Sequence, residues 1–318
     1  MNDPLLLTAF EILPSPARVD PPFLEPVRVG LVQERWHPDP SEHRDALARG
    51  VRIAAGAGAR LVCLQELTLS AYFAITPAGP GSAGVEAEDL PGGPTHAFAA
   101  ELAAETGVHV HASLYERAPG DRGVLGFNTA IVVSPSGELA ARTRKLHLPV
   151  TAGYYEDRYF QPGDTGYPVV DLVDARFGFP TCWDQWFPEV ARSYALLGAD
   201  VIVYPTAIGS EPDHPGFDTQ PIWEQVIRAN GIANGTFMVV PNRIGTEGPV
   251  MFYGSSFISD PYGRVLVQAP RDEAAVLVAD LDLDQRRDWL ALFPLLATRR
   301  PDTYGVIAEP NRGMEIDG

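Results

Sequence analysis

Cys182 is the residue whose type and position most directly indicate chemistry. It lies in GFPTCWDQWFPE, where a short extended segment gives way to a helix predicted to begin near Pro188. A thiol at such a turn is placed like a nucleophile, and nearby backbone NH groups could hold an oxyanion. A buried, inert cysteine is the alternative for Cys182, and it is the interpretation we give to Cys63 within LVCL.

Glu66 and Lys145 have side chains that would complete a nucleophilic mechanism. Glu66 ends the apolar strand LVCLQE, and functional residues of α/β sheets gather at such strand ends. Lys145 ends a predicted hairpin in RTRKLHLP. Singly, Glu66 could be a solvated carboxylate and Lys145 a surface lysine. Together with a thiol, the two side chains fit a nucleophilic mechanism. A carboxylate can deprotonate the thiol, and an ammonium can stabilise the oxyanion that forms when the thiolate attacks a carbonyl.

Other chemistries lack their motifs in this sequence. The seven histidines show no HxxxH, HExxH or His/Cys spacing, so we expect no metal. GxSxG and GxxxxGKS/T are absent as well, which argues against a serine-hydrolase elbow and a P-loop. We therefore expect no cofactor.

The composition disfavours several partners and compartments. The 318 residues include 41 acidic and 24 basic side chains, for a formal net charge of -17. This excess of negative charge disfavours binding to nucleic acid. It is compatible with a cationic substrate but does not by itself indicate one. Two cysteines are too few for a disulfide framework. The N-terminus lacks the features of a signal peptide, and no stretch approaches the roughly 20 apolar residues that span a bilayer. We expect a soluble cytoplasmic protein with a small-molecule substrate.

Regular structure is predicted from Val27 onward. The strand VRVGLVQ is followed by a helix that Ser41 caps, with Leu47, Val51 and Ala54 on one face. A strand over 61–64, a helix over about 95–105, a strand ending at 116 and a hairpin over 128–145 come next. The first 26 residues are rich in proline and lack periodicity, so we interpret them as an extension lying on a surface or on a partner subunit.

Three blocks of the first half recur in the second half. GARLVCLQE at Gly58 aligns with GADVIVYPT at Gly198, and GVHVHASLYE at Gly107 aligns with GTFMVVPNR at Gly235. The hairpin starting at 128 aligns with GSSFISDPYGRVLVQAPR starting at 254. The offsets are 140, 128 and 126 residues. Three blocks in the same order favour internal duplication over chance similarity.

The repeated β/α pattern predicts one duplicated domain. Strands this apolar need cover on both faces. We expect an α/β fold, a four-layer α-β-β-α sandwich of two mixed sheets with an internal pseudo-twofold duplication. The predicted organisation is an extension over 1–26, one domain over 27–300 and a C-terminal tail over 301–318 that is a candidate subunit contact.

Three motifs together resemble the nitrilase superfamily of carbon–nitrogen hydrolases. They are LQELTLSAYF around Glu66, RKLHLP around Lys145 and TCWDQWFPE around Cys182, and the resemblance covers about Val27–Tyr304. It implies a catalytic carbon–nitrogen hydrolase domain and a homodimer or larger homo-oligomer. It also implies that Glu66 is the general base and acid, Lys145 the electrostatic stabiliser and Cys182 the nucleophile.

Within the superfamily, four stretches are most similar to the N-carbamoylputrescine amidases and next to the β-ureidopropionases. The stretches are GYYEDRYFQPGDTGY, CWDQWFPE, YPTAIGSEP and NRIG. Both groups remove a carbamoyl group from an amine, which implies cleavage of an N-carbamoyl amine to amine, CO2 and ammonia. An N-carbamoyl amino acid, a nitrile or a simple amide are alternative substrates for the same triad. A catalytically inactive scaffold is the non-enzymatic alternative.

The resemblance implies further site residues. Glu156 matches a second carboxylate that positions Lys145 and the substrate, and His147 and Trp183 match residues that line the pocket. Further candidates for substrate contact are Tyr155, Asp184, Glu189 and Glu116, of which Glu116 could equally be a structural carboxylate. For the far end of the pocket, Asp184 and Glu189 would suit an ammonium tail, whereas Arg158 and Arg192 would suit a carboxylate tail.

The segment Phe179-Pro180-Thr181 departs from the family pattern. Relatives carry an apolar β-branched run before the cysteine, and a proline cannot donate a ladder hydrogen bond. We therefore expect a bulged or edge-like strand immediately before Cys182.

Overall fold

In the part of the chain that the structure describes, two mixed β-sheets, two short two-stranded sheets and five α-helices make up the fold. The structure, a computed structural model, describes residues 3–118 and 125–310. The helices are α1 Pro40–Gly56, α2 Pro94–Thr106, α3 Pro188–Leu196, α4 Gln220–Asn234 and α5 Asp284–Leu292. The strands are β1 Leu5–Ala9, β2 Val27–Gln33, β3 Leu61–Cys63, β4 His109–Glu116, β5 Phe127–Val133, β6 Leu139–Arg144, β7 Val150–Thr151, β8 Tyr154–Tyr155, β9 Val169–Leu172, β10 Ala175–Gly178, β11 Val201–Val203, β12 Phe237–Val240, β13 Ile244–Glu247, β14 Val250–Tyr253, β15 Phe257–Ser259, β16 Val265–Gln268 and β17 Ala275–Leu281.

The strands pair in the same order of orientations in both sheets. The larger sheet has the order β1-β17-β2-β3-β4-β5-β6, and the smaller has the order β16-β15-β12-β11-β10-β9. From β2 to β6, two parallel pairs are followed by two antiparallel pairs. From β10 to β16 through β11, β12 and β15, the same succession recurs. The predicted α/β fold with mixed sheets is confirmed.

Three apolar clusters hold the sheets and helices together. One contains residues of both sheets, among them Leu31 of β2 and Phe177 of β10. A second joins α1 and α2 to the larger sheet, and a third joins α3 and α4 to the smaller one. Cys63 is fully buried in the first cluster, where burial raises the pKa of its thiol.

No helix among the described residues is long and apolar enough to cross a membrane.

Helix α1 shows which local signals position an element. Its predicted apolar face is right, because Leu47, Val51 and Ala54 are fully buried. The predicted cap is wrong: Asp39, and not Ser41, accepts the backbone N–H bonds of Ser41 and Glu42, at 2.9 and 3.0 Å. Pro40 occupies the first turn, where its missing N–H costs nothing, so the cap lies one residue before it.

The N-terminal extension contains a strand that the sequence did not indicate. Strand β1 pairs in parallel with β17 at the edge of the larger sheet. The chain then runs over α5, where Arg18 binds Asp282 and Asp288 at 2.7 Å each. The lack of periodicity follows from this placement, because β1 has a single neighbour in the sheet and its side chains are exposed or half-buried.

Candidate active site

The side chains of Glu66, Lys145 and Glu156 meet in a buried cluster. Glu66 follows β3, Lys145 follows β6, and Glu156 begins a short 3-10 turn after β8. The Nζ atom of Lys145 lies 2.9 Å from Oε1 of Glu66 and 2.8 and 2.7 Å from the two carboxylate oxygens of Glu156. None of the three side chains is exposed to solvent. One ammonium is thus held between two carboxylates.

The charges of this cluster shift its protonation equilibria. Burial lowers the pKa of Lys145, but the charges of Glu156 and Glu66 outweigh burial and leave it above its ordinary value. Burial raises the pKa of Glu156, the charge of Lys145 lowers it, and the charge of Glu66 raises it again, so that it ends above its ordinary value. Lys145 therefore stays protonated, and the two carboxylates compete for one counter-charge.

Two neutral side chains orient the carboxylates, and the sequence reasoning missed both. The amide of Asn128 donates to Oε1 of Glu66 at 2.7 Å, and the hydroxyl of Tyr72 donates to Oε1 of Glu156 at 2.8 Å. The Oε2 atom of Glu66 is buried and has no hydrogen-bond partner among the described residues. That oxygen is the one left to receive a proton. Tyr72 lies in the quoted segment LQELTLSAYF, and Asn128 is the first residue of the predicted hairpin over 128–145.

Cys182 lies at a sharp turn of the backbone. It begins the 3-10 turn Cys182–Trp186 with a φ of 42°, and its N–H donates to the carbonyl of Pro205 at 3.0 Å. Non-glycine residues in this conformation cost roughly 1–3 kcal/mol and cluster at functional sites. Burial and then the charge of Glu66 raise the pKa of the Cys182 thiol well above its ordinary value, although Lys145 lowers it. The thiol therefore rests protonated and needs a base.

The strand before Cys182 ends earlier than the sequence predicts. Strand β10 ends at Gly178, so Pro180 occupies no position in a ladder and no bulge is needed. The expectation of a bulged or edge-like strand at Pro180 is corrected accordingly. Thr181 has an extended backbone and leads directly into the turn that carries Cys182.

Asp184 connects the segment of Lys145 with the segment of Cys182. Its fully buried carboxylate accepts the N–H of Thr181 at 3.1 Å, the N–H of His147 at 2.9 Å and a 2.7 Å contact from Nδ1 of the His147 ring. These contacts occupy the carboxylate of Asp184. The expectation that Asp184 binds an ammonium tail of the substrate is therefore corrected. The ring of His147 stacks on Phe187 at 3.7 Å between centroids and is not among the residues lining the cavity described below.

Glu116 lies in an ion-pair cluster and not among the residues that line the cavity described below. It accepts hydrogen bonds from Thr129 and Arg144 at 2.7 Å each and also binds Arg142. Burial raises the pKa of Glu116, but the bonds from Arg144 and Thr129 and the charges of both arginines leave it below its ordinary value. The expectation that Glu116 contacts the substrate is therefore corrected, and its contacts are those of a structural carboxylate.

A cavity of about 630 Å³ lies beside the turn of Cys182. Its apolar wall includes Trp183, Trp186 and Phe217. Its polar residues include Glu211 and His214. Burial raises the pKa of Glu211, while a hydrogen bond from Thr219 and the charge of His214 lower it, and the pKa ends above its ordinary value. Sequence reasoning missed Glu211, although it lies in the quoted stretch YPTAIGSEP.

The other candidates lie away from this cavity. Tyr155 is half-buried in β8, and its N–H donates to the carbonyl of Ala74 at 2.8 Å. Arg158 is exposed beside Asp157. Glu189 and Arg192 line a separate cavity that shares no residue with the one beside Cys182. The expectation that Glu189 or either arginine meets the substrate tail is corrected. Among the described residues, no group of three or more His, Cys, Asp or Glu residues could hold a metal ion.

Comparison with known proteins places the chain in a family. The model of the carbon-nitrogen hydrolase family matches residues 28–291. The chain is 38% identical over 289 residues to an N-carbamoylputrescine amidase of Solanum lycopersicum, covering 88% of this chain and 94% of that protein. The chain belongs to the carbon–nitrogen hydrolase family. This hydrolase therefore acts on carbon–nitrogen bonds other than peptide bonds, and the predicted resemblance to the nitrilase superfamily is confirmed.

Two further relatives of the hydrolase agree with this assignment. It is 32% identical over 286 residues to a citrullinase of Francisella tularensis, covering 88% of this chain and 98% of that protein. The crystal structure of a carbon-nitrogen hydrolase from Helicobacter pylori G27 matches with a TM-score of 0.79 and 30% identity. That match covers 89% of this chain and 99% of the other.

Proposed function

We propose that this hydrolase removes the carbamoyl group from an N-carbamoyl amine whose far end carries an ammonium, as in N-carbamoylputrescine. The observation that carries the proposal is the partly buried carboxylate of Glu211 in the aromatic cavity beside Cys182. An ammonium there would donate a charge-assisted hydrogen bond to Glu211 and make cation–π contacts with Trp183 or Trp186. The similarity to an N-carbamoylputrescine amidase supports the same substrate class.

The geometry supports a thioester mechanism. The free Oε2 of Glu66 takes the thiol proton as the sulfur of Cys182 attacks the ureido carbon. Lys145 and the backbone N–H of Trp183 stabilise the oxyanion that forms. Glu66 then protonates the departing amine nitrogen, which leaves a carbamoyl thioester on Cys182. Glu66 activates the water that cleaves the thioester, and the carbamic acid released breaks down to CO2 and ammonia, so the products overall are the amine, CO2 and ammonia.

An N-carbamoyl amino acid is the second candidate, because a citrullinase and a β-ureidopropionase are among the relatives. Its carboxylate would need a cationic partner at the far end of the cavity. Among the described residues that line the cavity there is no arginine or lysine. The lining therefore favours an N-carbamoyl amine over an N-carbamoyl amino acid. It gives no support for the alternative of a catalytically inactive scaffold.

A substrate panel with a Glu211 variant tests this proposal. Ammonia release is measured from N-carbamoylputrescine, N-carbamoyl-β-alanine, citrulline, a simple amide and a nitrile. We expect the carbamoyl amine to be preferred, and Glu211→Gln to raise its KM about tenfold or more while leaving uncharged substrates unaffected. Because Glu211 binds the ammonium only when ionised, the KM should rise as the pH falls through its raised pKa. Equal KM values in Glu211→Gln and the wild type would contradict the assignment.

We also infer that the fold is a four-layer α-β-β-α sandwich of two duplicated halves. The shared order of strand orientations and the apolar cluster between the sheets support this inference. The N–H of Glu66 lies 3.4 Å from the carbonyl of Thr206, the residue aligned with it in the repeat. A catalytic carboxylate in one half thus has a hydroxyl residue as its counterpart in the other.

A further inference from the structure

Arg243 is among the largest fully buried side chains of the described chain, and the proposed mechanism gives it no role. It lies in the stretch NRIG, directly before β13. Its Nη2 atom donates to three backbone carbonyls, that of Glu66 at 2.7 Å and those of Leu67 and Ser70 at 3.2 Å each. One buried cation from the second half of the chain thus binds the loop that follows β3 in the first half.

This loop, residues 66–72, begins and ends with residues of the active site. Glu66 is its first residue, and Tyr72 is its last, whose hydroxyl donates to Glu156 at 2.8 Å. Leu67 has a φ of 49°, which is costly for a residue other than glycine. Such a conformation persists only where surrounding contacts hold it. The bonds from Arg243 to the carbonyls on both sides of the Leu67 N–Cα bond are contacts of this kind.

Glu247, at the end of β13, extends these contacts to the far end of the loop. Its Oε1 atom accepts from Nη1 of Arg243 at 2.7 Å, and its Oε2 atom accepts the N–H of Tyr72 at 2.7 Å. The two side chains of the ion pair are 0% and 9% exposed, so water and salt screen it weakly. The pair therefore holds both ends of the loop, Glu66 by its carbonyl and Tyr72 by its N–H.

We propose that Arg243 and Glu247 form a positioning pair, which fixes the backbone of Glu66 so that its carboxylate is placed to remove the thiol proton. This inference rests on the proposed function, in which Glu66 is the general base for Cys182. Neither member of the pair is among the described residues that line the cavity. Its loss should therefore lower kcat and leave substrate binding unchanged, since a displacement of about 1 Å at a reacting group can cost roughly 10²-fold in rate.

The variants Arg243→Lys and Glu247→Gln test the pair by ammonia release. Lysine keeps the charge but lacks the planar set of donors that bonds the carbonyls and Glu247 together, and glutamine turns an NH2 group toward one of its two donors. We expect kcat to fall about 10- to 100-fold in each variant with KM nearly unchanged. The substrate is whichever member of the panel the wild type turns over fastest, so the result does not depend on a preference for N-carbamoyl amines.

Arg286→Lys is the matched control. The Nε atom of Arg286 lies 3.4 Å from Oδ1 of Asp200, and its guanidinium also donates to three backbone carbonyls, those of Ala195, Asn234 and Gly235. None of these residues lines the cavity beside Cys182. We expect Arg286→Lys to lower the Tm, as Arg243→Lys does, and to keep the wild-type kcat.

Alkylation of Cys182 by iodoacetamide, followed by mass spectrometry, separates positioning from a loss of stability. A loosened fold opens more often and speeds alkylation of a buried thiol, whereas a displaced general base slows it. We expect the rate at Cys182 to fall about tenfold or more in Arg243→Lys and Glu247→Gln and to stay at the wild-type value in Arg286→Lys. Alkylation needs no turnover, so it tests the pair independently of the substrate.

Three results would overturn the proposal. They are a wild-type kcat in Glu247→Gln, a fall in kcat that Arg286→Lys shares, and alkylation of Cys182 in Glu247→Gln as fast as in the wild type. If Arg243→Lys does not fold, Glu247→Gln decides alone. Failure of the proposed function is a separate result, because it appears in the wild type as a preference for another substrate class or as no turnover.

Discussion

The ammonium of Lys145 contacts the carboxylates of Glu66 and Glu156. We propose that this excess of negative charge governs how Cys182 is activated. The pKa of Lys145 is raised and the pKa of the Cys182 thiol is raised as well. A preformed thiolate–ammonium pair would need a lowered thiol pKa. In the mechanism that we propose, the proton stays on the sulfur until the substrate carbon is in place, and Glu66 removes it during attack. General-base catalysis of this kind contributes typically 10²–10⁴-fold.

We propose that Asp184 is a positioning residue, because it contacts the segments of both Lys145 and Cys182 and is not among the residues that line the cavity. In Asp184→Asn, one carboxylate oxygen becomes an NH2 group that faces an N–H donor of Thr181 or His147. We expect kcat to fall about 10- to 100-fold with KM nearly unchanged, since orientation of the reacting groups is lost and binding is kept.

Asp260 supplies the matched control for this variant. It is also fully buried and accepts the N–H bonds of a turn, those of Tyr262 and Arg264 at 3.0 Å each. Asp260→Asn should lower the Tm and leave kcat unchanged. Equal kcat values for Asp184→Asn and the wild type would show that Asp184 has no positioning role.

At the scale of elements, the N-terminal extension is held in place by charge. Arg18 is 23% exposed, and its partners Asp282 and Asp288 are 4% and 3% exposed. Arg18→Gln leaves the nearly buried Asp282 without an ion-pair partner among the described residues and leaves Asp288 paired with Arg287 alone, so we expect a loss of about 1–2 kcal/mol of unfolding free energy. Urea unfolding measures this loss.

Arg117→Gln is the control for Arg18. Its pair with Asp89 is exposed on both sides, at 55% and 78%, and such pairs contribute little. We expect the Arg18 variant to unfold at clearly lower urea than the Arg117 variant. Coinciding transitions would contradict the view that the extension is anchored by Arg18.

The sequence predicts elements where the signal is local and misses contacts made at long range. The apolar face of α1 follows from spacing alone, and the end of α2 follows from Gly107, whose φ of 73° suits a glycine cap. Strand β1 depends on β17, which lies about 270 residues later. The glutamates of the site are indicated by motif, but the roles of Asn128 and Glu211 depend on which chain segments meet in three dimensions.

At the scale of the whole molecule, buried histidines tie stability to pH. His111 stacks on Phe179 at 5.3 Å between centroids, and burial lowers its pKa to about 3. The unfolded chain binds this proton below about pH 6.5. Stability is therefore lost as the pH falls from about 6.5 toward 3, by up to about 1.4 kcal/mol per pH unit.

His111→Phe removes this titration while keeping a ring against Phe179. We expect the unfolding free energy of the variant to fall less steeply between pH 6.5 and 4 than that of the wild type. His43, whose pKa burial lowers to about 4, keeps part of the slope in both proteins. Parallel pH profiles for His111→Phe and the wild type would exclude the titration of His111.

The central claim, that Cys182 carries out hydrolysis of a carbamoyl amine, is tested most directly by ammonia release from N-carbamoylputrescine. Cys182→Ala is compared with Cys63→Ala, which removes the other thiol from the core between the sheets. We predict that Cys63→Ala keeps turnover close to that of the wild type and that Cys182→Ala releases no ammonia above background. Turnover retained in folded Cys182→Ala would contradict the account.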